Sequence, residues 1–372
     1  MGKNILITGG AGFIGSHLAD ELLAAGHRVR ILDNLSEQVH GLDPRRPDYL
    51  APEAELLIGD VRDRTALSRA LKGIDVVYHL AARVGVGQSM YQLRDYVDVN
   101  ETGTATLLQI LIERPVARLV VASSMSIYGE GLYLDAGGTL IEDRDREIAH
   151  LQQGIWDLPD ASGESLRPLP TPENKRPALA SIYALTKYAQ ERQCLMIGQA
   201  YNIPTVALRF FNAYGPRQAL SNPYTGVLAI FASRLLNDNR PIIFEDGLQK
   251  RDFVHVTDVA RACRLAMEVT GSEGRVFNIG SGDTCTVRHL ATRLADFLGK
   301  KHLEPEITGR FRVGDIRNCF ADILLAREML GYRPLVSLED GLIETADWLG
   351  GQIAVDSCER ARHELVSRGL TV

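Results

Sequence analysis

Two side chains capable of acid and base chemistry lie four positions apart in the stretch YALTK, residues 183–187. On a helix, this spacing places Tyr183 and Lys187 on one face. A nearby ammonium group favours phenolate over phenol, so a tyrosine whose ordinary pKa is about 10 can act as a base near neutral pH. A hydroxyl-rich strand end, VASSMSIYG at residues 121–129, adds Ser124 as a third polar group. An isolated Tyr and Lys pair is more often exposed on an amphipathic helix, so a reacting centre is predicted only together with the motifs below.

A glycine-rich stretch near the N-terminus is typical of a dinucleotide-binding turn. TGGAGFIG, residues 8–15, follows an apolar run and opens a helical pattern, with glycines at Gly9, Gly12 and Gly15. Without side chains there, the backbone can turn tightly, approach a pyrophosphate and let the helix pack closely on a sheet, while the helix N-terminus favours negative charge. The alternative is a simple glycine turn between a strand and a helix.

A carboxylate follows this turn at the distance expected for ribose binding. The second apolar run, RVRILD, ends at Asp33, eighteen residues after Gly15. Its oxygens can accept hydrogen bonds from an adenosine ribose. Asp33 would repel a 2′-phosphate, and Asn34 and Leu35 supply no cation to bind one. The sequence therefore predicts NAD rather than NADP.

Two later strand ends extend this site. GDVRD, residues 59–63, places Asp60 and Val61 where a carboxylate and a backbone amide can hold an adenine, although Asp60 alone is as easily a turn residue. HLAA, residues 79–82, ends the fourth apolar run with small residues, which leave room for a cofactor.

The elements that must position these residues alternate along the first half of the chain. Short apolar runs, the strand candidates, are separated by segments whose apolar residues recur three and four apart, the helix candidates. This alternation predicts an α/β protein with a Rossmann-type doubly wound parallel sheet. We predict an NAD-binding domain at 1–209, a smaller α/β substrate-binding domain at 210–350 with elements returning to the sheet, and a C-terminal helical tail at 351–372. The Pro- and Gly-rich insertion at 130–177 is interpreted as a lid over the site, with a disordered segment as the alternative.

Composition and charge exclude several kinds of partner. The 372 residues carry 41 basic and 47 acidic side chains, a net charge of −6, and no run of Lys or Arg of the kind that follows a phosphate backbone. The five cysteines lie far apart without a C-x-x-C pair, so neither a zinc site nor a disulfide framework is indicated. No uncharged apolar run has the length of a membrane span. We expect a cytoplasmic protein with no metal, no nucleic-acid partner and no membrane segment.

Taken in order, these motifs resemble those of the extended short-chain dehydrogenase/reductase family, and within it the nucleotide-sugar epimerases and dehydratases. The resemblance covers nearly the whole chain, through the stretches ILITGGAGFIG, HLAA, SSMSIYG, YALTK, RFFNAYGP, RDFVHVTDVA, NIGSG and RVGDIRNCFAD. It implies bound NAD, a nucleotide-sugar substrate and a homodimer formed through helices near 95–113 and 181–200.

The resemblance also implies residue roles. Ser124 would hydrogen-bond the reacting hydroxyl, Tyr183 would be the base, and Lys187 would lower the pKa of Tyr183 and hold the nicotinamide ribose. The implied NAD-binding residues are Gly9, Gly12, Phe13, Ile14, Gly15, Asp33, Asn34, Asp60, Val61, Leu80, Ala81, Ala82, Asn100, Tyr183 and Lys187. The implied substrate-binding residues are Ser126, Asn212, Val227, Phe244, Arg251, Arg312 and Asp315. A guanidinium fork can meet two phosphate oxygens at once, although each arginine by itself is more often a surface salt-bridge partner.

The choice among the family's reactions depends on two positions after Ser124. Related 4,6-dehydratases carry Asp and Glu where this chain has Met125 and Ser126, and decarboxylating relatives carry Glu at the position of Ser126. Their absence predicts a 4-epimerase that inverts C4 of a dTDP-6-deoxyhexose or UDP-hexose through a transient 4-keto sugar. A 4,6-dehydratase or 4-ketoreductase is the alternative reaction, and a non-catalytic NAD-binding sensor or scaffold is the alternative class. Cys319, at a position that is a bulky aromatic in some relatives, is expected either to widen the sugar pocket or to be a plain buried residue.

Overall fold

The computed structural model describes residues 2–42, 45–142, 144–312 and 314–371. Six residues of the predicted ranges lie outside this description: Met1, Asp43, Pro44, Asp143, Val313 and Val372. The strands are β1 (Asn4–Thr8), β2 (Arg28–Asp33), β3 (Glu55–Ile58), β4 (Val76–His79), β5 (Arg118–Ser124), β6 (Leu132–Leu134), β7 (Leu140–Ile141), β8 (Arg167–Leu169), β9 (Thr205–Phe210), β10 (Asn212–Tyr214), β11 (Ile242–Ile243), β12 (Lys250–Arg251), β13 (Phe253–His255), β14 (Val276–Ile279), β15 (Cys285–Thr286), β16 (Glu306–Ile307) and β17 (Asn318–Cys319).

Helices separate or follow these strands along the chain. They are α1 (Phe13–Ala24), α2 (Glu37–His40), α3 (Arg64–Ala70), α4 (Val86–Ser89), α5 (Leu93–Tyr96), α6 (Gly103–Glu113), α7 (Ile148–Gln152), α8 (Ile182–Ala200), α9 (Val227–Leu236), α10 (Val256–Glu268), α11 (Val287–Phe297), α12 (Leu324–Leu330), α13 (Leu338–Leu349) and α14 (Cys358–Ser367). A π-helical segment, Val97–Thr102, runs into α6, and a 3₁₀ turn, Met125–Tyr128, follows β5.

Seven strands form one parallel sheet in the order β14-β9-β5-β4-β1-β2-β3. Its inner strands are apolar on both faces because both faces are covered by helices; all seven residues of β5 are buried. One apolar core packs α1, α10 and α12 against the sheet, and a second packs α3, α6 and α8 against the opposite face. The predicted Rossmann-type doubly wound sheet is confirmed.

The strand order reverses between β1 and β4, which is where such sheets bind ligands. Because parallel strands end at the same edge, Thr8, Asp33, His79 and Ser124 finish β1, β2, β4 and β5 along one rim. Helix α8 begins beside this rim, with the Ser181 hydroxyl accepting a hydrogen bond from the Ala184 amide at 3.1 Å.

The second half of the chain adds small sheets and a third apolar core. The pairs are β10 with β13 and β11 with β16, and a three-stranded sheet has the order β15-β12-β17. The third core packs α9, α11 and α13 together. The C-terminal segment ends in α14. Among the described residues, no helix is both long and apolar enough to cross a membrane.

The insertion after β5 contains regular structure that its sequence does not predict. Strands β6, β7 and β8 form an antiparallel sheet in the order β7-β6-β8, accompanied by α7. A small apolar cluster of Tyr133, Leu158 and Leu166 supports it. These strands are only two or three residues long, so they carry no alternating pattern that a sequence window could detect.

Candidate active site

A cavity of about 560 Å³ runs along the rim of the parallel sheet. One wall consists of the glycine turn and the ends of β2, β4 and β5. The other wall comes from the second half of the chain and includes Phe210–Tyr214, Gln218, Asn222 and Val227. Ligands bound here would lie between the two halves of the protein.

The glycine turn forms a cradle that fits a pyrophosphate. A Cβ atom added to Gly12 would have only one neighbour within 4 Å, the Gly9 carbonyl oxygen at 3.4 Å, so this side of the turn is open. A Cβ on Gly15 would lie 2.5 Å from the same oxygen, which shows that the helix packs here only because this residue is glycine. Helix α1 starts directly after Gly12 and directs its free amide groups towards the turn.

Asp33 braces this cradle as well as lining the cavity. One carboxylate oxygen accepts from the Ala11 amide at 3.0 Å, and the other accepts from the Leu35 amide at 2.9 Å. Each carboxylate oxygen has a further lone pair for a ribose hydroxyl. The predicted site for an adenosine ribose therefore has its acceptor at the end of β2.

Asp60 and Asn34 meet beside Asp33. The Asn34 amide donates to Asp60 at 3.1 Å, and Arg62 forms two further side-chain bonds to Asp60, at 2.9 and 2.8 Å. The hydrogen bond from Arg62 is the main reason why the pKa of Asp60 falls to about 2. Arg62 lies on the cavity wall, and no sequence pattern pointed to it. Its charge is paired with that of Asp60.

The three predicted reacting residues line one end of the cavity. The Ser124 side chain is close enough to the Tyr183 phenol to act on its pKa. The Tyr183 backbone amide donates to the Ser89 hydroxyl at 3.0 Å, and its ring lies edge-to-face against Tyr96, with the ring centroids 6.4 Å apart. The Lys187 side chain, 3% exposed, donates to Gln190 Oε1 at 2.6 Å.

Burial has opposite effects on the two ionisable members of this group. It raises the pKa of Tyr183, and the hydrogen bond from Ser124 opposes that shift. It lowers the pKa of Lys187 to about 8, because an ammonium loses its hydration there. Tyr183 is therefore a phenol and Lys187 still an ammonium at neutral pH. In the protein alone, the pKa of Tyr183 is raised, opposite to the lowering predicted from Lys187, which is not among the groups that shift it.

A buried polar network behind Lys187 fixes its position. Gln190 Nε2 donates to the Thr104 hydroxyl at 2.9 Å, and the His79 ring lies between the hydroxyls of Thr8 and Thr104. Burial lowers the pKa of His79 to about 3, so this histidine is neutral. Gln190 lies one helical turn beyond Lys187, and only this spacing could have suggested its role.

The remaining predicted cofactor residues divide into two groups. Gly9, Phe13, Ile14, Val61, Leu80, Ala81 and Ala82 line the cavity with those already described. Asn100 lies behind the wall, where its amide donates to Thr186 at 2.9 Å and accepts from the Arg83 backbone at 2.7 Å. Asn100 thus supports the segment that follows Ala82 and does not itself line the cavity.

The cavity wall from the second half of the chain is uncharged. Asn212 and Val227 line it, and the Asn212 amide donates to the Asp252 carbonyl at 2.9 Å. Gln218 lines it too, and its buried Oε1 has no hydrogen-bond partner among the described residues. The buried Ser126 hydroxyl also has none, although Ser126 lies just outside the cavity lining. No pattern in the sequence pointed to Gln218, which lies six positions after Asn212.

Four predicted substrate residues form a second cluster rather than part of the cavity wall. The Arg312 guanidinium lies 4.7 Å from the centre of the Phe244 ring and 2.9 Å from Asp315, which is 3.6 Å from Arg251. Burial would raise the pKa of Asp315, but the surrounding arginines lower it to about 2. Arg146 of the insertion joins this cluster by donating to the Asp315 carbonyl at 2.6 Å, a contact that the sequence did not indicate.

Cys319 does not widen the cavity. It is fully buried, lies outside the cavity lining and contacts the Thr171 hydroxyl at 3.8 Å. The expectation of a wider sugar pocket at Cys319 is therefore not met, and the alternative, a plain buried residue, describes its position. Among the described residues, no group of His, Cys, Asp or Glu could hold a metal ion.

A glycine cradle, a carboxylate at the end of β2 and a Ser, Tyr and Lys group on one rim define a dinucleotide-dependent enzyme of the short-chain dehydrogenase/reductase type. The sequence matches the NAD dependent epimerase/dehydratase family over residues 5–145 and 161–280. The chain belongs to this family, and the predicted resemblance is confirmed.

Individual relatives agree with this assignment. The chain is 36% identical over 357 residues to a dTDP-L-rhamnose 4-epimerase of Burkholderia thailandensis, covering 95% of this chain and 96% of the relative. Its fold is similar to that of a UDP-glucose 4-epimerase of Thermotoga maritima solved with UDP-glucose, with a TM-score of 0.74, 32% identity and coverage of 93% and 98%. A UDP-glucose 4-epimerase of Thermus thermophilus solved with NAD gives a TM-score of 0.73, 30% identity and coverage of 94% and 100%.

Proposed function

We propose that this protein is an NAD-dependent nucleotide-sugar 4-epimerase, which inverts C4 of a dTDP-6-deoxyhexose or a UDP-hexose through a transient 4-keto sugar. The observation that carries this proposal is the Ser124, Tyr183 and Lys187 group at one end of a cavity whose other end is the glycine cradle. The relatives named above support the same activity.

Tyr183, Ser124 and Lys187 have distinct roles in this reaction. Tyr183 takes the proton of the C4 hydroxyl, while Ser124 hydrogen-bonds that hydroxyl and Tyr183 itself. Lys187, held by Gln190, provides a positive charge that favours the phenolate and is available to a ribose hydroxyl. When bound, NAD supplies the acceptor for the C4 hydride. Tyr183 returns its proton once the opposite face of the keto sugar has been reduced.

The placement of carboxylates favours inversion over dehydration. Three line the cavity, Asp33, Asp60 and Asp95. Asp33 braces the glycine turn, Asp60 is held by Arg62, and Asp95 lies 3.9 Å from Arg83. Met125 and Ser126 provide no further acid beside Ser124. No described carboxylate of the cavity wall is therefore placed to remove a proton from C5 or to protonate a C6 hydroxyl.

The cations on the wall favour an uncharged hexose. They are Arg62, Arg83 and Lys187. Arg62 binds Asp60, and Arg83 contacts Gln92 and Asp95. Lys187 donates to Gln190. Since the two arginines are paired with carboxylates and Lys187 is assigned to Gln190 and a ribose hydroxyl, a sugar carboxylate would find no further cation on this wall. We propose that the Phe244, Arg251, Arg312 and Asp315 cluster binds the nucleoside diphosphate, with the ring and the guanidinium forks positioned by the same contacts.

We propose a cytoplasmic homodimer as the working form. Helices at 95–113 and 181–200 would form the interface; Leu185 and Met196 of α8 are 45% and 52% exposed, although both are apolar. The described cysteines are all unpaired, as expected in a reducing compartment. We retain the division at 1–209, 210–350 and 351–372, with the insertion at 130–177 as a lid that reaches the nucleotide cluster through Arg146.

The decisive experiment incubates the purified protein with dTDP-, UDP-, GDP- and CDP-sugars and follows the configuration at C4 by NMR. Inversion without added cofactor, or with catalytic NAD, is the expected result. Stoichiometric consumption of a reduced nicotinamide would indicate a 4-ketoreductase, and loss of water would indicate a dehydratase. Bound NAD without turnover of any sugar would indicate the sensor or scaffold. Tyr183→Phe is the control, because it should bind sugar nucleotide but not invert it.

A further inference from the structure

Three amide side chains from separate parts of the chain form one hydrogen-bonded bridge. Gln38 belongs to α2, Gln88 to α4, and Asn222 to the segment between β10 and α9. Gln38 Nε2 donates to Gln88 Oε1 at 2.9 Å and to Asn222 Oδ1 at 3.0 Å. Gln88 Nε2 donates back to Gln38 Oε1 at 3.3 Å. We call these three residues the amide bridge.

The amide bridge connects the two walls of the cavity. Ser36 and His40, the neighbours of Gln38 in sequence, line the wall beside Asp33. Asn222 lines the opposite wall, whereas Gln38 and Gln88 do not line the cavity. The bridge therefore fastens the segment after β2 to the second half of the chain from outside the ligand space.

Neighbouring contacts fix the orientation of each amide. Asn222 Oδ1 also accepts from the Tyr224 backbone amide at 3.0 Å, so its oxygen must face this way. Gln88 is oriented by its paired hydrogen bonds with Gln38. The Tyr96 hydroxyl lies nearer to the Val84 and Gly85 carbonyl oxygens than to Gln88 Oε1, and the Tyr96 ring packs on Tyr183. Both oxygens accept hydrogen bonds from the single amino group of Gln38. A carboxylate at position 38 would place an oxygen against two acceptors.

We propose that the amide bridge is a clamp that retains NAD between turnovers, an inference that rests on the NAD dependence in the proposed function. The Gln38–Asn222 link crosses the cavity beside Asp33, the end assigned to the adenosine ribose, whereas Gln88 extends the bridge to α4, whose Ser89 contacts Tyr183. An epimerase must release its sugar nucleotide in every cycle but keeps the same NAD. The Gln38–Asn222 link meets both requirements, because the two walls cannot separate at the NAD end without breaking it.

The test measures the rate at which bound NAD leaves the protein, which does not depend on sugar turnover. Protein loaded with NADH is mixed with excess unlabelled NAD, and the decay of protein-bound NADH fluorescence gives the release rate. Gln38→Glu should release the cofactor roughly tenfold or more faster than the wild type, as expected when about two hydrogen bonds are replaced by repulsion. Gln352→Glu, the same change at an exposed glutamine, is the matched control and should match the wild type.

A double-variant comparison separates a clamp from a residue that only stabilises the fold. Gln38→Ala and Asn222→Ala should each speed release, and the double variant should be no faster than the faster single one, because both remove the same link. Additive effects, or single variants within twofold of the wild type, would overturn the clamp. Wild-type protein that binds no NAD at all would instead overturn the proposed function. Lower stability of the cofactor-free variants with unchanged release would assign a purely structural role.

Discussion

Replacing Lys187 by methionine should make the cofactor-free protein respond differently to pH. Lys187 is 3% exposed, and its only described side-chain hydrogen bond goes to Gln190. Because burial lowers its pKa from 10.5 to about 8, the charged lysine opposes folding. A methionine of similar length removes this charge. We expect Lys187→Met to abolish epimerisation and to relieve the electrostatic cost of the site.

The magnitude follows from proton linkage. The pKa of Lys187 is 10.5 in the unfolded chain and about 8 in the folded one. Between pH 8 and pH 10.5 the folded state therefore binds fewer protons than the unfolded state. Wild-type stability consequently rises as the pH rises through this window. The cost of Lys187 is roughly 3 kcal/mol at pH 7 and roughly 1 kcal/mol near pH 9.5. The unpartnered Gln190 oxygen in the variant costs about 1–3 kcal/mol at either pH. The free energy of unfolding of the variant minus that of the wild type should therefore fall by about 2 kcal/mol between pH 7 and pH 9.5. The wild type gains stability relative to the variant at the higher pH.

Urea unfolding of both cofactor-free proteins at pH 7 and near pH 9.5 measures this shift. Lys301→Met, at an exposed lysine without a described side-chain partner, is the control and should keep a constant gap to the wild type. If the gap for Lys187→Met were the same at both pH values, Lys187 would not be desolvated as the structure indicates. If the variant instead gained stability relative to the wild type at high pH, burial would not lower the pKa of Lys187.

The remaining predictions concern Asp33, the buried Arg209–Glu191 pair and Gly15. Asp33→Ala removes the acceptor that braces the glycine turn, so NAD affinity measured by calorimetry should fall at least roughly tenfold; unchanged affinity would contradict the ribose role. Arg209→Met leaves Glu191, which is 1% exposed, without its ion-pair partner at 2.7 Å. The free energy of unfolding measured in urea should fall by about 3–5 kcal/mol. A loss below about 1 kcal/mol would argue against a buried ion pair. Gly15→Ala places a Cβ 2.5 Å from the Gly9 carbonyl oxygen, so the variant should lose bound NAD during gel filtration. If the variant kept as much NAD as the wild type, the turn would be able to move aside.

The parallel sheet was predictable because its strands carry their own signal. Strands buried on both faces read as continuous apolar runs, so RLVVASS coincides with β5, Arg118–Ser124. RVRILD coincides with β2, and Asp33 is its last residue in the structure, as predicted. Since parallel strands end at one rim, these boundaries also placed Asp33 and Ser124 near the same cavity. The insertion was not predictable, because its strands are too short to carry a period.

The contacts that complete the site depend on distance in space rather than in sequence. Arg146 reaches Asp315 across 169 positions, and Gln38 reaches Asn222 across 184. No local pattern encodes such pairs. The spacing of Tyr183 and Lys187 correctly placed both residues on the cavity wall, but it could not indicate how strongly burial would act on their pKa values.

Burial of the Tyr183 and Lys187 pair reverses the order of proton affinities that the two groups have in water. A free lysine holds its proton slightly more tightly than a free tyrosine, by about half a pKa unit. Here the pKa of Tyr183 lies above its usual value and that of Lys187 lies near 8. Tyr183 therefore cannot pass its proton to Lys187 and stays a phenol. Only a further positive charge in the cavity, such as an oxidised nicotinamide ring carries, would favour the phenolate. The proposed base would thus become active when the oxidised cofactor is bound, which would make retention of that cofactor a condition for each turnover.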